Sequence, residues 1–284
     1  MNQGALWGRK ATVEVGPLII DGLTVKFDVK LDDSNLGKAE IAVYNLNENH
    51  RKQIEQVVSY GAAMSVVLKA GYVGQEQNQL FKGKIREAAS VKDPPDWVTT
   101  FRTGDGDGVP QVRVNKSYVK GTPIEVMVMD AAKELQKSVG VGLGNLMTAL
   151  AQGKTKDGIK TLLSGGGALQ GSAFKELENK LRAMGLDVVV QDQELLVTPI
   201  GEPLLAPVTR LTPTTGLIGS PQRAMVKEEA VLKVKALILP GLRPKRMIQV
   251  QSSLVSGLYV IRRVQYKGDT SSNDWYAEME CVER

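Results

Sequence analysis

The sequence predicts an α+β fold, mainly β, in which two related antiparallel β domains flank a small α+β middle domain. Three observations lead there. Polar and apolar residues alternate in the first and last thirds, as in Leu23, Val25, Phe27, Val29 and Leu31 against Lys26, Asp28 and Lys30, the period-two pattern of a half-buried strand. Helical spacing with firm starts and stops is found in the middle. The end of the chain also repeats its beginning. Leu80-Phe81-Lys82-Gly83-Lys84-Ile85-Arg86 leads to Asp93 and Asp96-Trp97, and Leu258-Tyr259-Val260-Ile261-Arg262 leads to Asp269 and Asp274-Trp275. The Ile-to-Asp interval is eight residues in both copies, and the length difference lies in the turn. A one-residue slip within a strand would flip every side chain, so a duplicated hairpin diverges in its turn.

In order, Leu23 to Leu31 and Ala39 to Leu46 read as strands, with Asn45-Leu46-Asn47 capping a short helix over Glu48 to Val58. Met64 to Ala70, Gln79 to Ala88 and Trp97 to Arg102 follow as strands, with Pro94-Pro95 in a turn. Gly104 to Gly108 lacks the oxygen spacing of a calcium loop and reads as a linker. Thr122-Pro123-Ile124-Glu125 starts a helix running to Ser138, and Ser172 opens another over Ala173 to Met184, stopped by Gly185. Between them a glycine-rich insertion, about 140–171, holds two short apolar pieces, Leu146 to Leu150 and Ile159 to Leu163. Leu186 to Val190 and Glu194 to Pro199 form a hairpin. Val231 to Leu239, Arg246 to Ser252, Leu258 to Tyr266 and Trp275 to Val282 are expected as four strands in meander order. The domains are therefore expected at 1–108, 109–203 and 204–284. Trp97 and Trp275, each opening an alternating strand, are expected to anchor the cores of the two repeats.

Composition narrows the function. The net charge of +5 raises nucleic-acid binding, but the basic residues are dispersed and aromatics make up 5%, too few for stacking platforms. Arg243-Pro244-Lys245-Arg246 is the one compact basic cluster, expected as a solvated turn. No apolar run is long enough to span a membrane, no secretion signal is expected at Met1-Asn2-Gln3-Gly4, and Cys281, the single cysteine, has no disulfide partner.

Chemistry is sparse as well. His50 is the only histidine, in a charged turn, and Cys281 has no His or Cys at ligand spacing, so neither a nucleophilic triad nor a zinc site is expected. Gly140-Val141-Gly142-Leu143-Gly144-Asn145 misses the dinucleotide spacing. Asp192 with Glu194, and Asp269 with Asp274, could pair as carboxylates in form, but they lie in turns, where Asp serves the backbone. No enzymatic activity, cofactor or metal is expected.

Three stretches resemble the baseplate hub proteins of bacteriophage tails, related to the hub portions of type VI secretion spikes. They are Leu23 to Phe27 with Ala39 to Asn47 and Leu80 to Gly83; the Val188-to-Pro199 hairpin after a helix; and Thr215-Gly216-Leu217-Ile218-Gly219-Ser220-Pro221 followed by Lys267 to Trp275. The resemblance implies two tube-like β domains per chain and a homotrimer. Three such chains present six similar units to a six-fold tail tube and a three-fold face to the central spike. It also implies the tape-measure and baseplate wedge proteins as partners, viral DNA passing through the lumen in transit, a place in the virion tail baseplate with assembly in the host bacterial cytoplasm, and no membrane anchoring. A lumen that DNA traverses is expected to be acidic or neutral. The glycine-rich insertion departs from the pattern. Leu143, Leu146, Met147, Leu150, Leu162 and Leu163 are its interface candidates, as an arm that orders on a partner or as a helical hairpin packed on its own domain. From other classes, a tail-associated cell-wall hydrolase and a peptidoglycan-binding module are the alternatives, tested by turnover of, or retention on, purified peptidoglycan.

Overall fold

The computed structural model describes residues 8–34, 36–59, 64–106, 108–151, 166–226 and 228–284. Two compact units divide the chain: Met1–Asp105 with Leu205–Arg284, and Gly106–Leu204. The protein is mostly β, with a large antiparallel sheet and four helices among the described residues.

The first unit begins with β1 (Arg9–Val15), β2 (Leu18–Ile20), β3 (Val25–Asp32), β4 (Lys38–Tyr44), α1 (Glu48–Ser59), β5 (Ser65–Tyr72), β6 (Asn78–Asp93) and β7 (Asp96–Gly104). In β3 and β4 the alternation is literal. Val25, Phe27, Val29, Leu31, Ala39, Ile41 and Val43 are buried, and α1 begins where Asn47 Oδ1 accepts from the Asn49 N–H at 2.8 Å.

The second unit holds β8 (Arg113–Tyr118), α2 (Ile124–Val139), α3 (Leu146–Ala151), β9 (Gly167–Ser172), α4 (Ala173–Ala183), β10 (Leu186–Gln191) and β11 (Glu194–Pro199). Its core is the apolar face of α2 (Met127, Val128, Ala131, Leu135) against that of α4 (Leu177, Leu181). Gly140 and Gly185, at φ of 71° and 76°, let the chain turn away after these helices. Neither Pro123 nor Ser172, at the two helix starts, makes a side-chain cap hydrogen bond.

The chain then returns to the first unit through β12 (Thr209–Leu211), β13 (Leu217–Val226), β14 (Glu229–Ala236), β15 (Met247–Gln251), β16 (Ser256–Asp269) and β17 (Trp275–Glu283). Three of the four expected strands run as a meander, β15-β16-β17, but β14 pairs with β17 rather than with β15. All the strands of this unit join in one 13-stranded sheet, ordered β13-β14-β17-β16-β3-β4-β7-β6-β5-β1-β2, with β15 carried on β16 and β12 on β15. The two expected β domains are therefore continuous, because β3 hydrogen-bonds to β16 over Lys26–Asp32 and Arg263–Asp269. Among the described residues no ladder closes β13 onto β2.

Arg243-Pro244-Lys245-Arg246 is not a solvated turn. Arg243 and Lys245 are 7% and 6% exposed, Arg243 Nη2 donates to the Gln79 carbonyl at 2.8 Å, and the Tyr266 hydroxyl donates to the Leu242 carbonyl. The loop from Leu237 to Arg246 lies between β14 and β15, where α1 lies between β4 and β5. Burying its cations requires fixed partners.

Trp97 is likewise not a core residue. It is 36% exposed, with the Arg51 guanidinium stacked 4.2 Å from its ring, and its backbone N–H donates to Asn45 Oδ1 at 3.0 Å. Trp275 is 3% exposed, edge-on to Phe27 and Tyr72 at 5.5 and 6.5 Å between centroids.

Candidate functional site

The site is built from strand edges rather than from reactive side chains. The β6–β7 and β16–β17 hairpins correspond residue for residue. In one, Ile85 pairs with Thr103, a bulge takes up Arg86, and Glu87 pairs with Arg102. In the other, Ile261 pairs with Cys281, a bulge takes up Arg262, and Arg263 pairs with Glu280. A bulge adds one residue to one strand and bends it, so a shared bulge is a register mark common to both copies. The correspondence extends outward, since β3-β4-β7-β6-β5 and β13-β14-β17-β16-β15 have the same neighbour order.

The seam between the copies is β3 against β16. There Arg263 reaches Asp32 and, at 3.3 Å, Glu280; Gln265 Nε2 donates to both Asp28 oxygens at 2.8 and 2.9 Å. The bulge residue Arg262 donates from Nη1 to Asp33 at 2.7 Å and from Nη2 to Glu229 at 3.1 Å. Burial holds the Asp33 carboxyl above its ordinary value, outweighing the Arg262 guanidinium beside it. The apolar side of the seam seats Val264 beside Leu31, and Gly268 between Phe27 and Trp275.

The opposite face of the sheet is polar, with a depression of about 930 Å³ across β13, β14, β17, β16, β3 and β4, lined among others by Lys30, Lys38, Lys233, Arg263 and Glu280. Charges alternate across the strands. Arg102 lies between Glu40 and Glu87 at 3.5 and 3.0 Å, and Lys235 meets Glu278 at 3.3 Å while covering the Tyr276 ring. Each exposed pair is worth about 0–1 kcal/mol, so the row adds little to the stability of the fold.

The interface candidates of the glycine-rich stretch separate. Leu146 is buried in its own unit, Leu143 and Leu150 are half-buried, Met147 is 54% exposed, and Leu162 and Leu163 lie outside the described residues, as does the expected piece Ile159 to Leu163. The segment from Gly142 to Leu146 is tied to β11. Gly142 exchanges backbone hydrogen bonds with Gln193 and Leu195 at 2.8 and 2.9 Å, and the Gly144 N–H donates to Glu194 at 2.9 Å. The Asn145 amide brackets Val197, accepting from its N–H at 2.6 Å and donating to its carbonyl at 2.7 Å. Leu146 is thus removed from any partner surface. Replacing Asn145 by Ala leaves two buried backbone groups unmatched and is expected to lower the stability of this unit by about 1–3 kcal/mol, read as loss of amide-exchange protection at Val197. Unchanged protection would mean that the segment is held some other way.

No catalytic constellation forms among the described residues. His50 stands half-buried on α1. Cys281 is buried, its thiol pushed up by burial. Asp269 accepts from the Ser271 N–H and hydroxyl, both at 2.8 Å, in a turn, and Asp192 turns the β10–β11 hairpin at φ 55°. No group of three or more His, Cys, Asp or Glu suited to a metal occurs among the described residues, and no helix there is long and apolar enough to cross a membrane.

The strand order agrees with known folds. A tail protein from Neisseria meningitidis aligns with a TM-score of 0.63 at 11% identity, over 98% of this chain and 97% of that one. The 43 kDa tail protein of prophage MuSo2 from Shewanella oneidensis aligns at 0.61 and 8% identity, over 97% and 98%. A type VI secretion component of E. coli, described as similar to the T4 tail proteins gp27 and gp5, aligns at 0.60 and 10% identity, over 96% and 76%. At such identities the likeness is one of fold. No curated protein matches in sequence. The family model for baseplate hub gp41 matches residues 12–281, nearly the whole chain, and the protein therefore belongs to the baseplate hub gp41 family of phage tail proteins.

Proposed function

We propose that this protein is the structural hub of a phage baseplate, a homotrimer whose two β modules per chain form a pseudo-six-fold ring joining the six-fold tail tube to the three-fold central spike. The observation that carries this reading is the duplication. Two copies of one strand order in a single chain, marked by bulges at Arg86 and Arg262, supply the repeat that a trimer needs to meet six-fold symmetry. Closed symmetry also removes free strand edges, which otherwise invite aggregation.

The reading places the tail tube protein, the spike, the tape-measure protein and the baseplate wedge proteins around the hub, in the tail of the virion. The arginines of the polar sheet face are matched by carboxylates, but Lys30, Lys38, Lys233 and Lys235 beside Asp32, Glu278 and Glu280 leave its depression with an excess of cations, so this face is not the acidic or neutral lining expected of a lumen that DNA traverses. Interfaces rather than a reaction then carry the function. The solution mass by light scattering tests it. A particle of three times 30.8 kDa is expected, and a monomer that persists at every concentration would remove the self-assembling ring.

A further inference from the structure

The polar face of the large sheet carries its charges in rows across the strands, and one row is out of balance. Lys233, Glu280, Arg263 and Asp32 stand opposite one another along β14, β17, β16 and β3, and their charges cancel. The neighbouring row on the same face runs Lys235, Glu278, Gln265, Lys30 and, on β4, Lys38, so that three cations meet one carboxylate. Lys30 and Lys38 are directly opposed, an arrangement that costs a sheet stability because the Cβ atoms of opposed residues are only about 4.5–5.5 Å apart. Glu278 is shared between Lys235 at 3.3 Å and Lys267 at 4.0 Å. Lys30 reaches only Asp28 of its own strand, at 3.8 Å, and among the described residues neither Lys38 nor Lys233 makes an ion pair. These two rows line the depression of about 930 Å³, together with the apolar Leu36 and Ile218. The next row lies outside it and has the opposite sign, with Asp28, Glu40 and Glu87 against Lys267 and Arg102.

We infer that this depression docks an acidic segment of a partner polypeptide, whose carboxylates supply the counter-charges that Lys30, Lys38 and Lys233 lack. A carboxylate set between Lys30 and Lys38 turns a repelling pair into a bridged one, so the isolated chain holds an unfavourable contact that the partner relieves. The longest stretch of this chain outside the described residues, 152–165, holds Lys154, Lys156 and Lys160 against Asp157 and is of the wrong sign to fill the site. A nucleic acid also fits less well. Its backbone carries a charge on every residue and would meet Asp32, Glu278 and Glu280 within the depression and the acidic row beside it. A polypeptide spaces its carboxylates among other side chains, some of which suit Leu36 and Ile218. The volume is that of a cleft for a few side chains rather than a groove for a duplex. Docking of this kind needs neither three copies nor a closed ring.

The test titrates a fluorescein-labelled synthetic peptide, in which glutamates alternate with leucine and serine, with the full-length protein and follows fluorescence anisotropy. Saturable binding that weakens as salt rises is expected. Lys30→Gln together with Lys38→Gln is expected to lower the affinity about tenfold or more. Lys133→Gln together with Lys137→Gln removes the same charge from exposed positions on α2, in the other unit, and is expected to leave the affinity unchanged. Equal losses in the two pairs would reduce the binding to net charge and overturn the site, as would a parent protein that binds no peptide. A single-stranded thymidine oligonucleotide of equal charge is expected to bind more weakly than the peptide. Tighter binding of it that depends on Lys30 and Lys38 assigns the surface to nucleic acid and overturns the polypeptide partner. Urea unfolding supplies a readout without any probe. Lys38→Gln ends the opposition to Lys30 and is expected to raise the midpoint, whereas a lowered midpoint shows that Lys38 serves the fold and overturns its role as a docking cation.

Discussion

Trp275→Ala is expected to destabilise the β unit by about 3–5 kcal/mol, the cost of removing a large buried aromatic, and Trp97→Ala by much less. The two tryptophans hold matching places in the repeated hairpins, so the difference isolates environment from chemistry. Trp275 packs edge-on to Phe27 and Tyr72, and the Tyr72 hydroxyl beside it is pushed up to about 12, chiefly by burial. Truncation there leaves a cavity where the two copies join. Trp97 is half open to solvent beneath Arg51, and its truncation gives up part of an aromatic face and a cation–π contact of about 0.5–1 kcal/mol. Urea unfolding of the two variants compares them directly. Equal losses would show that the first hairpin is as deeply packed as the second.

Gly268→Ala is expected to cost about 1–3 kcal/mol through overpacking, a large effect for one added methyl group. Gly268 pairs with Trp275 on one side and Phe27 on the other, and a Cβ there falls within the Phe27 ring. The ring has Trp275 beside it and cannot withdraw without disturbing the pair of rings. The same substitution at Gly74 or Gly185 meets no atom within 4 Å, so its cost there is limited to the positive φ. Thermal unfolding distinguishes the cases. A Gly268→Ala variant as stable as the parent would mean that β3 and β16 are not in the contact described.

Much of the β unit was legible because a strand packed on one face writes its alternation into the sequence, as β3, β4 and β17 do. The duplicated hairpin was legible for the same reason, since its register is fixed by a bulge and only its turn has changed length. The succession β15-β16-β17 was legible, but the place of β14 was not. The pairings of β14 with β17 and of β16 with β3 are made across distant parts of the chain, and nothing local encodes them. β13 was missed because Gly219 and Pro221 interrupt its pattern, and β8 and β9 because Arg113–Tyr118 is polar and Gly167–Ser172 is glycine-rich. The buried Arg243 and Lys245 defeat composition-based reasoning, which expects clustered cations to remain in water unless their partners are known. Trp97 shows the converse: a repeat preserves strand position while burial changes with whatever covers the strand.

At the candidate site, Trp275 is buried as its alternating strand predicts, whereas Leu146 of the glycine-rich stretch is buried in its own unit. Leu146 is apolar for the sake of its own unit, held by Asn145 and the glycine backbone on β11.

The most direct measurement of the central claim, that one chain supplies two equivalent units to a ring, is a set of averaged electron-microscope images of the isolated protein viewed down its axis. The duplication predicts a closed ring of six similar β lobes with strict three-fold symmetry, alternate lobes differing where α1 is replaced by the loop from Leu237 to Arg246. A ring of three lobes, or an open chain of particles, would contradict it.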